Sequence, residues 1–397
     1  MSSEVPKGWL PAKLGEIAAL SGGTTPSKSN GAYWTHGTVP WATPSDVTSL
    51  PLGQTRIATT EAQVSERALK ECSLKLNPPN TVLMTSRATI GYAVINDMPM
   101  ATNQGFLNFA CSSDCVPEFL CHWLNAKRDL LTAAAGGSTF KELSRGTAKL
   151  LPILLPPVDE QRRIAEVLRS VDEAILANRA SIMHMSRVRA ATLHAAFEES
   201  AWEPVKLGDL GRWSSGGTPP KADQSLWNGD VPWICPRDMK SPVVTRAEST
   251  VAEKAIGGAC KMVPNGTLLL VVRGMILAKA IPTATTAMAA TYNQDIKAFH
   301  PNGRAIPKFV QLCLQHQEHG LLKQVNTATH GTKKLDAHTI AEVEVPLPDL
   351  PTQIELSQTI TDMDLAMVRS GEEHIRLVRM KAALQSDLLF GHVRVPA

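Results

Sequence analysis

The chain carries one pattern twice, and that duplication constrains its fold more than any other feature. The first half reads Trp9, Leu14-Gly15, Ser21-Gly22-Gly23-Thr24-Thr25-Pro26-Ser27-Lys28, Val39-Pro40-Trp41 and Ser45-Asp46. The second reads Trp202, Leu207-Gly208, Ser215-Gly216-Gly217-Thr218-Pro219-Pro220-Lys221, Val231-Pro232-Trp233 and Arg237-Asp238. The spacing is 193 residues at the first tryptophan, 194 at the glycine pair and 192 at Val-Pro-Trp. It drops to 186 at Arg87/Arg273, returns to 190 at Asn103-Gln104/Asn293-Gln294, and is 192 again at Gln161/Gln353. Small drifts of this kind are what loop insertions produce when two copies share one fold. Such a chain is a covalent pseudo-dimer, a form suited to a ligand with two related halves.

At 397 residues the chain exceeds one typical domain. Its 43% hydrophobic and 19% charged residues are ordinary for a globular protein. A formal charge of +3 permits a polyanionic partner without requiring one, so any basic surface has to be local. Lys7, Lys13 and Glu16 interrupt the N-terminal region where a secretory leader would need an apolar run, and no apolar stretch reaches about 18 residues. The expectation is a cytoplasmic chain that does not span a membrane. Seven cysteines form no CxxC pair; Cys111 and Cys115 give a faint metal signal, and buried thiols in a reducing compartment are the simpler reading.

Each copy has two parts, which predicts four segments: a mixed α/β globule over 1–155, a helical spacer over 156–200, a second globule over 201–347 and a second spacer over 348–397. Thr81–Ser86 and Thr267–Val272 read as buried strands. Pro117 and Pro307 each open a helical pattern, where proline suits the first turn. After Leu155-Pro156-Pro157 and Leu347-Pro348, steps of four and three give an apolar seam. It runs through Ile164, Leu168, Val171, Ile175 and Ile182, with Asn178, Met185 and Arg189 on the same stripe. The second copy gives Leu356, Ile360, Met363 and Met367, then Ile375 and Val378, a slip of one residue that suggests local unwinding near Gly371. Such a seam needs a partner helix. The two helices are expected to form an antiparallel coiled coil; packing of each on its own globule is the alternative. Some 35 residues of helix span roughly 50 Å.

Catalytic patterns are missing. Asn77-Pro78-Pro79-Asn80 approaches the Asn-Pro-Pro-aromatic motif of amino-methyltransferases but has Asn where the base-stacking ring belongs, so a turn before a strand is the better reading. His316 and His319 lack zinc-protease spacing, and there is no GxxxxGK[ST], HExxH or GxSxG. What repeats is binding chemistry. Gly22, Gly23, Thr24 and Gly216, Gly217, Thr218 offer loops that either present backbone N–H groups to an anion or form a plain hairpin turn, each followed by a lysine, Lys28 or Lys221. Arg87 and Arg273, at strand ends, suit a guanine edge or a buried ion pair. Asn103-Gln104 and Asn293-Gln294 suit adenine edges or tie down a loop. Asp46 and Asp238 can accept from cytosine or orient an arginine; Arg237 stands beside the latter. Lys141, Lys333 and Lys334 suit phosphates. Trp41 and Trp233 read as core.

Taken in order and doubled, the Ser-Gly-Gly-Thr loops, Val-Pro-Trp-x-x-x-x-Asp, the Asn-Gln pair and Leu155-Pro156-Pro157-x-x-Glu160-Gln161-x-x-Ile164 resemble the specificity subunit of type I restriction–modification systems across essentially the whole chain. The last motif is degraded in the second copy, where Glu160 has no acidic counterpart. The resemblance implies two target-recognition domains joined by two helical regions, and a non-catalytic role in reading a bipartite, asymmetric site on double-stranded DNA. It further implies two methyltransferase subunits as partners, and a restriction or translocase subunit as a possible third. S-adenosylmethionine, ATP and Mg²⁺ would then belong to those partners, with no cofactor or metal in this chain. Two globules on a spacer of about 50 Å would straddle about 15 base pairs at 3.4 Å each, so spacer length would set the unread gap. Leu176, Leu193, Phe197, Leu389 and Phe390 are candidates for partner docking, or else they complete the intramolecular core. A repeat-domain scaffold and an autonomous DNA-modifying enzyme are the alternatives.

Overall fold

Four-residue runs buried on both faces make central strands, and each copy builds its largest sheet around one. The computed structural model describes residues 5–137, 141–327 and 331–395. It divides into two compact units, residues 1–183 with 368–397 and residues 184–367.

The first unit holds a five-stranded sheet of β1 (Ala18–Gly22), β2 (Arg56–Ile57), β3 (Val82–Thr85), β4 (Ala93–Asn96) and β5 (Phe106–Cys111), ordered β1-β5-β3-β4-β2. All its pairs are antiparallel except β4 with β2. β3 and β4 are buried along their whole length. Helix Pro117–Ala126 buries Phe119, Leu120, Cys121, Trp123 and Leu124 in the same core. A smaller sheet sets Val39–Ala42 between Gln63–Val64 and Ala101–Thr102. A two-stranded clip, Leu10–Lys13 with Pro152–Leu155, closes the globule.

The second unit repeats this plan with β6 (Gly211–Ser215), β7 (Val243–Val244), β8 (Leu268–Val271), β9 (Thr283–Thr286) and β10 (Ile296–Pro301), ordered β6-β10-β8-β9-β7. The directions match, with only β9 and β7 parallel. Helix Pro307–His316 covers it, and Pro204–Lys206 with Glu344–Pro346 forms the clip.

Two long helices follow the clips, Val158–Glu198 and Leu350–Leu389, of 41 and 40 residues. At 1.5 Å per residue each is about 60 Å long. Each is shared between the units. In the first unit the early part of one runs antiparallel to the late part of the other, fixed by Lys381 Nζ at 2.5 Å from Asp172 Oδ1. In the second unit the remaining parts are fixed by Arg189 Nε at 2.6 Å from Asp364 Oδ1. The first pair sits well inside, Asp172 being 3% exposed, and the second is half-buried. Ile164, Leu168, Val171 and Ile175 are buried, Ile182 is half-buried, and on the other helix Ile360 is buried with Leu356, Met363 and Met367 half-buried.

The second helix does not unwind at Gly371, which lies inside unbroken helix. The inward positions pass through Gly371, His374, Leu377 and Val378, so Ile375 turns outward at 53% exposed. Continuing the helical period through an unbroken segment places His374 where a slip would have placed Ile375.

Each helix begins on a glutamine latch. Gln161 Oε1 accepts from Val116 N–H at 2.8 Å, and its Nε2 donates to the carbonyls of Asp114 and Pro156. Gln353 does the same with Ile306 N–H and the carbonyls of Arg304 and Pro348. Both side chains are fully buried. Glu160, beside the first latch, accepts from Trp9 Nε1 and forms a two-pronged ion pair with Arg394 at 2.6 and 2.7 Å. Thr352 stands at the matched place in the second copy.

Candidate nucleic-acid interface

In the first unit the singled-out residues converge on one end of the five-stranded sheet. Strand β1 runs into Gly23 and Thr24, β5 starts just after Asn103 and Gln104, and β3 ends just before Arg87. Thr24 N–H donates to Thr102 C=O at 2.9 Å. A Cβ on Gly23 would fall 2.1 Å from the Asn103 carbonyl oxygen, so this glycine allows two loops to touch. Thr25 Oγ1 donates to Gln104 Oε1, and Trp41 Nε1 to Thr24 C=O at 3.0 Å.

The second unit repeats every one of these contacts. Gly217 N–H donates to Tyr292 C=O, a Cβ on Gly216 would fall 2.1 Å from that same oxygen, Thr218 Oγ1 donates to Gln294 Oε1, and Trp233 Nε1 donates to Gly217 C=O. Of the two loop readings, the structure favours the turn: the glycines serve close packing, and the N–H groups of Thr24 and Gly217 are consumed by carbonyls. Gly22 itself pairs with Leu107 in the sheet.

Local turns also take up the carboxylates and amides. Asp46 caps Thr43 N–H at 2.8 Å and accepts Glu61 N–H; Asp238 caps Cys235 N–H at 2.8 Å and accepts Glu248 N–H. Asn103 Oδ1 accepts from Gly105 N–H, and Asn293 Oδ1 from Asp295 N–H. Trp41 and Trp233 are buried, each in edge contact with a second ring, Trp34 or Trp227. Asn77 is buried with its amide donating to Met100 C=O, so the Asn-Pro-Pro segment is a turn.

The cations are what remains open. Lys28, Arg87, Lys141, Lys221, Arg237 and Arg273 are exposed, as are the amide-bearing Gln104 and Gln294. Arg87 pairs with Glu142 at 3.0 Å, and Arg237 reaches Glu248 at 3.3 Å and Ser249. Lys333 and Lys334 form a short strand; Lys333 donates to Thr327 and Lys334 pairs with Asp336 at 2.5 Å. Lys28, Lys221 and Arg237 stand on the loops around the smaller sheet rather than on the shared strand ends.

Sequence reasoning missed Lys297. It lies on β10 opposite Ser215, half-buried, with Nζ 3.2 Å from Ser215 Oγ. Burial, then the nearby ammonium groups of Lys261 and Lys334, hold it below the usual lysine range. Its matched position in the first copy is Leu107, so the repeat itself gave no signal. Of the proposed docking residues, Leu193 and Leu389 are buried, Phe197 packs on Phe309, and Phe390 lies under Lys127. Leu176 is half-buried. Four of the five therefore complete the intramolecular core. Among the described residues no cluster of three metal-ligating side chains occurs, and no helix is long and apolar enough to cross a membrane.

One fold built twice, each copy holding part of both long helices, with loop architecture kept and local charge varied, defines a duplicated two-domain protein. The chain belongs to the type I restriction modification DNA specificity domain family, whose model matches residues 6–182 and again 199–374. It is 27% identical to the type I restriction enzyme MjaIX specificity subunit of Methanocaldococcus jannaschii, covering 99% of this chain and 95% of that one. It is 26% identical to the EcoR124I/EcoR124II specificity subunit of Escherichia coli over 69% of this chain and 70% of the other. The fold is shared with the type I restriction-modification S subunit from M. genitalium, at a TM-score of 0.62 and 15% identity over 98% of both chains.

Proposed function

We propose that this chain is the non-catalytic DNA-specificity subunit of a type I restriction–modification assembly, reading a split site through two unlike recognition domains. The observation that carries this reading is the contrast within the repeat. Latches, caps and tryptophan bonds are retained pair by pair, as are the exposed Arg87/Arg273 and Gln104/Gln294, while the residues beside them differ between copies, Leu107 against Lys297 and Glu142 against Lys334. A retained frame with varied contact residues is what two readers of different half-sites require. The long helices would then set the gap between the half-sites.

Two methyltransferase subunits are the proposed partners, carrying S-adenosylmethionine, with ATP and Mg²⁺ belonging to a restriction or translocase subunit. Two pairs of exposed apolar residues on the long helices support a pair of equivalent partners, because they recur at a spacing of 192. Met183 and Ile375 are 47% and 53% exposed, Val188 and Met380 37% and 45%. Expression of this chain with a cognate methyltransferase subunit, followed by sequencing of host DNA for modified adenines, is expected to give a split motif with unlike halves. A continuous motif, or two identical halves, would overturn the two-reader assignment.

A further inference from the structure

The fold occurs twice, so one copy serves as the control for the other, and their charges at the shared strand-end surface differ sharply. In the first domain Arg87 faces Glu142 across a backbone bridge and is paired with it at 3.0 Å. In the second, Arg273 occupies the place of Arg87 and faces Lys334 across the same bridge. Leu107, buried in the first domain, is replaced by Lys297 in the second. Lys297 follows Asp295, whose carbonyl receives the N–H groups of Val272 and Arg273, so Lys297, Arg273 and Lys334 gather at one end of the sheet.

Among the described residues, neither Lys297 nor Arg273 has a carboxylate within 4.0 Å, whereas Lys334 is paired with Asp336 at 2.5 Å, one carboxylate among three cations. A half-buried ammonium without a counter-ion is unfavourable, and other cations beside it make it more so. The depression of the Lys297 ammonium agrees with that crowding. A multiply charged anion laid across the three would relieve both costs.

We infer that the second recognition domain is the electrostatic anchor of the DNA complex, with Lys297, Arg273 and Lys334 forming a phosphate-binding triad that the first domain lacks. This rests on the DNA-reading assignment above and adds a division of labour to it. The triad contacts backbone phosphates as point charges, so it contributes affinity that does not depend on base sequence.

The test uses the assembled complex of this chain with its methyltransferase partners and a duplex carrying the motif found in host DNA. Affinity is measured against salt concentration for the unaltered complex and for Lys297→Leu, Lys297→Arg and Lys334→Gln. Each lost phosphate contact lowers the slope of log affinity against log salt by about 0.9. Lys297→Leu and Lys334→Gln are each expected to lower it by about that amount, with affinity falling by the same factor on the cognate and on a random duplex. Lys297→Arg keeps the slope. An unchanged slope in both charge-removing variants, or a loss confined to the cognate duplex, overturns the triad. If the unaltered complex binds no duplex in a salt-dependent way, it is the DNA-reading assignment that fails.

Discussion

Gln161 satisfies one backbone N–H and two carbonyls where the chain leaves the clip and enters a long helix, and Gln353 repeats the arrangement. Gln161→Ala leaves these buried groups without partners, and a loss of about 2–3 kcal/mol is expected by urea denaturation. A cost below about 0.5 kcal/mol would mean that water or a backbone shift replaces the latch. The spacing of 192 marked these glutamines as matched, but a repeat does not say what a side chain does. The same limit applied to Asp46 and Asp238. An aspartate four residues after a strand end serves a base edge or a turn cap equally well on paper. Only the 2.8 Å contacts to Thr43 and Cys235 N–H decide for the cap.

At the scale of elements, the early seam was legible because Ile164, Leu168, Val171 and Ile175 are apolar at helical spacing. The polar remainder was not, since charged residues on a stripe look like solvated surface until their partners are placed. Asp172 is 3% exposed against Lys381 at 12%. His122 packs 4.0 Å from the same carboxylate, and burial pushes its imidazole down to about 3, so it stays neutral there. Removing one member of a buried ion pair costs more than removing both. Lys381→Met is therefore expected to destabilise by roughly 3 kcal/mol, and Asp172→Leu with Lys381→Met to regain most of it. Thermal or urea unfolding of the two variants beside the unaltered chain checks this. A double variant less stable than Lys381→Met alone would show that the pair contributes beyond compensating its own burial. The Gly371 region shows the opposite failure: glycine suggested a break, but packing of the flanking turns keeps the helix whole.

Across the whole molecule the duplicated plan could be read from sequence because Val-Pro-Trp, the Asn-Gln pairs and the proline stops keep their spacing. What the strand ends contact could not, because Arg87/Arg273 and Gln104/Gln294 are kept while the residues beside them diverge. Lys297 against Leu107 is the clearest instance. Interchangeability at the seam has one more consequence. Asp172 and Asp364 are 192 residues apart, as are Arg189 and Lys381, so the two ion pairs are one pair drawn twice. A gene cut in half should then still yield an assembly: two copies of residues 1–200 can set Asp172 of each against Arg189 of the other. Sedimentation of that fragment is expected to show a homodimer that Arg189→Glu disperses, whereas a monomeric fragment would show that the seam requires both halves. Such a dimer would see the same half-site twice, turning an asymmetric target into a palindrome.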